Sequence, residues 1–174
     1  MKIVCISQVY WPDTASVAQH LVDLLQTLSD HGHDVTVITS RHNYEHPEII
    51  YPAVEYCNGV RIYRIFNTGF GKRTKLGRLA DFLSFNVLIM CRLLALRRSA
   101  CDVMLGLTSP PLLSYIGIKI ARMKKIRFVY WTMDLQPELS MVAGYIKTDA
   151  TPAKVSAEII YSVIPIRLLF WMII

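Results

Sequence analysis

The sequence predicts an α/β fold, a single doubly wound parallel sheet of Rossmann-like type. Two observations carry this prediction: apolar runs typical of buried strands alternate with segments of helical periodicity, and several of the runs end in polar or proline-rich turns. A chain of 174 residues is long enough for one ordinary domain with a full core. We therefore expect helices on both faces of one sheet.

The first unit, residues 2–40, is predicted to be strand, loop, helix and strand. KIVCIS is an apolar run that closes on a polar residue, as a buried parallel strand does. One helical face follows, formed by Val17, Leu21, Leu24, Leu25 and Leu28. Gly32 ends this helix, because glycine tolerates the left-handed conformation at a helix C-terminus, and DVTVIT begins the second strand.

The rest of the chain continues the alternation. Asn58-Gly59 suits a tight hairpin turn between residues 54–57 and 60–65, and the third sheet strand is predicted over 60–66. The later predicted elements are a long helix over 77–98, a fourth strand over 103–107, a helix over 111–123 and a fifth strand over 127–132. Two loops are predicted, an exposed one over 41–52 beside the site and a glycine-rich, basic one over 67–76.

The predicted ligand site lies where the first, fourth and fifth strands end, in residues 8–14, 108–111 and 132–138. Ligands of open α/β sheets bind at the carboxyl ends of the strands, so these three loops are expected on one edge. For the second loop, Ser-Pro-Pro is also explained as a helix start, because proline suits the first helical turn. Asp134 and Glu138 are likewise explained as helix-capping charges. Both interpretations stay open.

Composition narrows the function classes. The net charge of +6 favours anionic partners, whereas the four scattered cysteines indicate reduced thiols in the cytoplasm. A dinucleotide-binding oxidoreductase is excluded because the first loop contains no glycine fingerprint. Nucleic-acid binding lacks an interleaved aromatic platform. No metal is expected, because the neighbouring histidines His31, His33, His42 and His46 have no acidic or thiol partner at a recognised spacing.

Five motifs together carry a family resemblance. In order, they are Gln8-x-Tyr10-x-Pro12-Asp13-x-x-Ser16, His31-Gly32-His33-Asp34, GRLADFLSF over 77–85, Thr108-Ser109-Pro110-Pro111 and Tyr130-Trp131-x-Met133-Asp134-Leu135-x-Pro137. In this order and spacing the chain resembles the amino-terminal domain of family-4 GT-B glycosyltransferases, with closest similarity to the group of colanic acid and exopolysaccharide biosynthesis enzymes. These are retaining, metal-independent enzymes that move a sugar from a nucleotide-sugar to an acceptor, often lipid-linked.

The resemblance implies a set of site residues. Asp134 is the expected catalytic residue, because a carboxylate at a strand end accepts hydrogen bonds from acceptor or sugar hydroxyls. The expected substrate-binding residues are Tyr10, Trp11, Pro12, Asp13, Ser16, Thr108, Ser109, Met133 and Glu138. Trp11 would stack on a sugar ring. Ala15-Ser16 stands where many relatives have two glycines, and Met133 where many have histidine.

The resemblance covers residues 1–154 and ends before an apolar tail, residues 155–174. The family's second domain, which binds the donor and carries a Glu-x7-Glu pair, has no counterpart in this sequence. Truncation or a frameshifted end explains the tail, whereas one subunit of a split enzyme and a non-catalytic binding or scaffold remnant are the alternatives. In each case we expect no sugar transfer by these residues alone.

The long helix is flanked by positive charge. Lys72, Arg73, Lys75 and Arg78 precede or begin it, and its middle is apolar without 20 uninterrupted apolar residues. This pattern predicts peripheral association with an anionic membrane, each basic residue adding about 1 kcal/mol near the surface. A solvated basic face over an ordinary core helix is the alternative.

Overall fold

The computed structural model describes residues 1–70, 75–107 and 111–131, apart from the side chains of Lys75, Arg78 and Pro111. All of them belong to one compact unit, Met1–Met133. The predicted boundary between residues 154 and 155, and the apolar tail, lie outside the described residues.

The described strands form one six-stranded sheet. They are β1 (Lys2–Ile6), β2 (Asp34–Ser40), β3 (Val54–Cys57), β4 (Val60–Ile65), β5 (Val103–Leu107) and β6 (Arg127–Trp131). Their order across the sheet is β3-β4-β2-β1-β5-β6, and every neighbouring pair is parallel except β3 with β4. The predicted α/β class is therefore confirmed, with the strand order reversing beside β1.

Helices cover both faces of the sheet, as the doubly wound prediction requires. They are α1 (Ser16–Asp30), α2 (Lys75–Ala95) and α3 (Pro111–Met123). Leu21 and Leu25 of α1 pack with β2 and β4 residues in one apolar cluster. Phe85 and Ile89 of α2 pack with α3 and the opposite face of the sheet in a second cluster. The parallel strands are thus buried between two helical layers.

Residues with positive φ form the two tight turns that the sequence predicts. Asn58 and Gly59 adopt φ values of 49° and 77° and join β3 to β4 in an antiparallel hairpin. Gly32, with φ of 79°, follows the end of α1. Both predicted turns are therefore confirmed. Each turn needs positive φ values, which glycine and asparagine adopt most readily.

The long helix differs from its prediction at both ends. It begins at Lys75 rather than Gly77, and it ends at Ala95, before a short 3-10 helix over Arg98–Ala100. The side chain of Lys124 donates to the carbonyl oxygens of Leu94 (2.8 Å) and Leu96. A distant lysine therefore satisfies carbonyl groups at the helix end, a contact that the local sequence does not show.

Candidate functional site

A cleft of about 560 Å³ opens at the carboxyl ends of β1, β2 and β4. Its described wall comes from the loops after these strands and from the N-terminal half of α2. The lining residues are Gln8, Ser40, His42, Asn43, Tyr44, Pro47, Asn67, Thr68, Gly69, Asp81 and Phe82. This volume lies in the range of small-molecule sites, and the position is the one expected for ligands of an open α/β sheet.

Hydrogen bonds attach the loop after β4 to its surroundings. The hydroxyl of Ser40 donates to Oδ1 of Asn67 at 2.8 Å, and this pair is buried. The Thr68 hydroxyl lies 2.9 Å from that of Ser84 on α2, and the amide of Phe70 donates to Oδ1 of Asp81 at 3.0 Å. The wall formed by residues 67–70 is therefore fixed to both β2 and α2.

The loop after β2 is organised by Asn43. Its Oδ1 accepts from the amides of Glu45 (2.9 Å) and His46 (2.7 Å), while its Nδ2 donates to the Tyr51 hydroxyl at 2.6 Å. Asparagine favours such turns because its side chain binds the backbone two or three residues on. The same loop presents Tyr44, whose side chain is 46% exposed, at the cleft.

His42 has one satisfied and one unsatisfied nitrogen. Its Nδ1 lies 2.7 Å from the carbonyl oxygen of Pro47, whereas Nε2 is buried without a hydrogen-bond partner. A carbonyl oxygen only accepts, so Nδ1 carries a proton, and in the neutral form of the ring Nε2 is the acceptor. A buried polar atom left unpaired costs about 1–3 kcal/mol.

Arg64 anchors the loop after β1. Its guanidinium donates to the carbonyl oxygen of Trp11 at 2.8 Å and to Oε2 of Glu55 at 2.6 Å, and it lies 5.1 Å from the centre of the Tyr51 ring. The Arg64 side chain is almost completely buried. This one residue therefore ties the loop after β1 to the β3–β4 hairpin and to the loop after β2.

The predicted residues of the first loop lie next to the cleft rather than in its described wall. Tyr10 is only 3% exposed and belongs to the core beneath α1, whereas Trp11 is 40% exposed. Pro12 is exposed, and so is Ser16, the first residue of α1. Asp13 is buried, and its Oδ1 accepts from the amide of Tyr44 at 3.2 Å. Among the five, Trp11 therefore offers a large exposed surface to a ligand, and Asp13 joins two loops.

Burial raises the pKa of the Asp13 carboxyl. The hydrogen bonds from the backbone of Tyr44 and Tyr10, the hydroxyl of Tyr51 and the charge of Arg64 each act in the opposite direction on this pKa without cancelling the effect of burial.

Several predicted residues fall outside the described part of the chain. They are Thr108, Ser109, Met133, Asp134 and Glu138 from the loops after β5 and β6, with Lys72 and Arg73 before α2. Lys75 and Arg78 belong to α2, but their side chains are not among those described. These residues keep the roles that the resemblance implies as predictions.

The described wall combines polar and apolar groups, among them Phe82 and Pro47, and carries little charge. It contains amides, hydroxyls, one imidazole and the carboxylate of Asp81, and no lysine or arginine among its described residues. Phosphate groups require cations or clustered backbone amides, whereas amides and hydroxyls suit the donor and acceptor pattern of hydroxyl groups. The amides and hydroxyls of the described wall suit hydrogen bonds with hydroxyl groups.

Sequence reasoning missed most of these lining residues. His42, Asn43, Asn67, Thr68 and Asp81 were not predicted to bind a ligand, although residues 41–52 were expected beside the site. The available signal was polar residues directly after two more parallel strands, β2 and β4.

Comparison with known proteins identifies no family. No family model matches the chain, and no curated protein sequence matches it. Within the part of the chain that the structure describes, no group of three or more His, Cys, Asp or Glu side chains is placed to hold a metal ion.

Proposed function

We propose that this chain is the acceptor-side domain of a retaining family-4 GT-B glycosyltransferase of exopolysaccharide biosynthesis. In the intact enzyme, a sugar passes from a nucleotide-sugar to a lipid-linked or polysaccharide acceptor, and a second domain or partner chain binds the donor. Catalysis requires donor and acceptor to be held together in one closed cleft, so this half transfers no sugar alone. The order of the sequence motifs and the doubly wound fold support the proposal.

The observation that carries the proposal is the cleft at the carboxyl edge of the sheet, whose described wall combines amides and hydroxyls with aromatic surface. Its amides and hydroxyls suit sugar hydroxyls, and Tyr44 and Phe82 provide aromatic surface for the apolar face of a sugar ring. In this proposal Asp134 binds an acceptor or sugar hydroxyl, and Trp11 stacks on a sugar ring.

Saccharide binding tests the cleft directly. We expect glycans to bind the purified chain, by titration calorimetry or ligand-observed NMR, more tightly than uridine diphosphate does. Tyr44→Ala should weaken glycan binding, whereas Tyr56→Ala, which removes an exposed tyrosine of β3 outside the described cleft wall, should leave it unchanged. Preferential binding of the nucleotide, or equal effects of the two variants, would contradict the assignment of the cleft.

Transfer itself separates an enzyme half from a binding or scaffold remnant. We expect labelled sugar to be transferred only after a donor-binding domain with Glu-x7-Glu is supplied, and Asp134→Ala to abolish that transfer with the fold intact. Transfer by the 174 residues alone would overturn the proposal. Glycan binding without restorable transfer would favour the scaffold alternative.

We further propose that the domain works in the cytoplasm at the inner face of the cell membrane. One observation favours this location: α2 carries a second apolar row facing away from the core. The row, named here the outer row, consists of residues that are 38–80% exposed: Leu76, Leu79, Leu83, Val87, Met90 and Leu94. Their spacing of three or four places them along one side of the helix. A helix that is apolar on both sides is typical of one covered by a further apolar layer.

Charge favours anionic lipid as that layer. Residues 72–131 contain twelve Lys or Arg and two Asp, whereas residues 1–71 contain four Lys or Arg and seven Asp or Glu. The positive segment includes α2 and α3, which lie on the same face of the sheet. An anionic leaflet attracts each basic residue near its surface by about 1 kcal/mol. Within the described residues, no helix is both long and apolar enough to cross a membrane.

Vesicle co-sedimentation decides between lipid binding and a solvated basic face. We expect binding to phosphatidylglycerol-containing vesicles that falls with added salt, and weak binding to phosphatidylcholine alone. Leu83→Gln with Val87→Gln should reduce recovery, whereas Ile49→Gln with Ile50→Gln, two similarly exposed residues of the loop after β2, should not. Equal recovery with both lipids, or equal effects of the two double variants, would leave the solvated face as the explanation.

A further inference from the structure

Two polar groups in the cleft wall remain without hydrogen-bond partners in the described structure. The side chains of Ser40, Asn43, Asn67, Thr68 and Asp81 are all bonded within the protein. By contrast, Nε2 of His42 is unpaired and buried, and the side-chain amide of Gln8 has no protein partner in the part of the chain that is described. Polar groups that the protein leaves unsatisfied in a cleft are candidates for direct contact with a ligand.

We infer that His42 recognises one hydroxyl group of the bound glycan, which donates a hydrogen bond to Nε2. This inference rests on the proposed function, since it names a residue that recognises the glycan proposed to bind in the cleft. The Pro47 carbonyl accepts from Nδ1, so Nε2 is the nitrogen that accepts in the neutral form of the ring. This hydrogen bond favours one tautomer of the neutral ring and one orientation of it.

As an acceptor, Nε2 of His42 selects ligand groups that donate a hydrogen bond. A neutral imidazole nitrogen with a free lone pair accepts from a hydroxyl or an amine but gives no hydrogen bond to a phosphate or carboxylate oxygen. A glycan that lacks the relevant hydroxyl leaves Nε2 buried and unpaired, and a site built to bind a hydroxyl discriminates strongly against such an analogue. Gln8 is less selective, because its amide both donates and accepts.

Gly69 positions the imidazole. A Cβ atom at this residue would lie 2.6 Å from Cε1, 2.7 Å from Nδ1 and 3.1 Å from Nε2 of His42. These distances are too short for any side chain, so the absence of one allows the loop after β4 to pack directly on the ring. Gly69 has no positive φ, and replacement by alanine therefore acts through this collision rather than through backbone strain.

The tautomer is measurable without any ligand. Nitrogen NMR shifts of selectively labelled histidine should show the proton of His42 on Nδ1, and the Nε2 resonance should move when a glycan binds. A proton on Nε2 in the free protein would overturn the inference, because that nitrogen would then donate rather than accept.

Binding measurements complete the test. With glucose oligomers and singly deoxygenated derivatives as probes, we expect His42→Phe to weaken glycan binding about tenfold or more. His46→Phe, a change at an exposed histidine of the same loop, should not weaken it. One deoxy derivative should bind the wild-type chain more weakly than the parent glycan, and His42→Phe should remove that difference. Gly69→Ala should weaken binding in the same direction through displacement of the ring.

The outcomes separate two failures. If the wild-type chain binds no glycan, the proposed function fails and the inference fails with it. If the wild-type chain binds glycans while His42→Phe binds them equally well, the cleft assignment stands and the role of His42 is wrong. If His42→Phe does not fold by circular dichroism, His42→Leu provides the same comparison, because leucine also has no hydrogen-bond acceptor.

Discussion

The two helical faces of the sheet differ in what they present to the outside. On α1, the exposed positions are polar, among them Gln19, His20, Asp23, Thr27 and Asp30, and the apolar residues face the core. On α2, the apolar residues of the core side are matched by the outer row on the other side. A helix needs one apolar stripe to pack on a sheet, so the second stripe on α2 is not explained by the fold.

The ligand edge shows a related difference. Polar side chains hold the loops after β1 and β2. Arg64 binds the loop after β1, Asn43 organises the loop after β2, and Asp13 joins the two loops. Residues 72–131 contribute the apolar packing of α2 and most of the positive charge. Polar bonds therefore give the cleft its shape, and α2 carries a cleft wall and the proposed lipid contact on different sides of one helix.

The largest expected effect separates the two sides of α2. Phe85→Ala should lower the free energy of unfolding by about 3–5 kcal/mol, because Phe85 is fully buried in the core. Leu83→Ala, two residues earlier in the outer row, should change it by about 0.5 kcal/mol or less. Urea unfolding of both variants measures the difference. A similar loss for Leu83→Ala would show that the outer row is packed within the folded chain rather than available to lipid.

The elements with local signals were predictable from the sequence. The strands at 103–107 and the helix at 111–123 match β5 and α3, because apolar runs and a helix-starting proline are encoded within a few residues. The glycine turns at Gly32 and Asn58-Gly59 were predictable for the same reason. The end of α2 was not, because it depends on Lys124, nearly 30 residues further along the chain.

The sequence predicted a site at the carboxyl edge of the sheet but not which residues line the described cleft. Parallel topology favours ligand sites at this edge, and the described cleft lies there at the ends of β1, β2 and β4, whereas the prediction used the loops after β1, β5 and β6. The sequence could not show that Tyr10 turns into the core while His42 lines the cleft, because both lie in loops without periodicity. The partners that define the wall, such as Ser40 with Asn67, are 27 residues apart. Such contacts follow from strand order, which no local pattern encodes.

The second prediction concerns the polar contacts that Arg64 makes with the loop after β1 and with the β3–β4 hairpin. Arg64→Met should lower the free energy of unfolding by about 3 kcal/mol, because it leaves Glu55 and the Trp11 carbonyl without their buried donor. Arg61→Met, at an exposed arginine side chain of the same strand that contacts Tyr56, should cost less than about 1 kcal/mol. Equal losses, measured by urea unfolding, would show that Arg64 does not anchor the loop.

A third, smaller effect isolates backbone conformation. Gly32→Ala should cost about 1 kcal/mol, since φ of 79° disfavours any residue with a Cβ atom. No atom lies within 4 Å of the position that the Cβ would occupy, so no collision adds to this cost. Thermal unfolding measures it, and an unchanged stability would mean that the turn after α1 relaxes to another conformation.

The smallest expected effect is a pH dependence from Asp13. Burial raises the pKa of this carboxyl in the folded chain above its unfolded value of about 4. The folded state therefore binds this proton more tightly, so the contribution to stability is fully present below the unfolded pKa and is lost as pH rises through the folded pKa. Asp13→Asn keeps an oxygen for the Tyr44 amide and removes the titration. We expect the stability of the variant relative to wild type to increase from pH 4 towards neutral pH in urea unfolding. The exposed Asp23→Asn variant controls for the loss of one negative charge, and the same trend in that control would mean that the effect comes from net charge rather than from the buried carboxyl between the two loops.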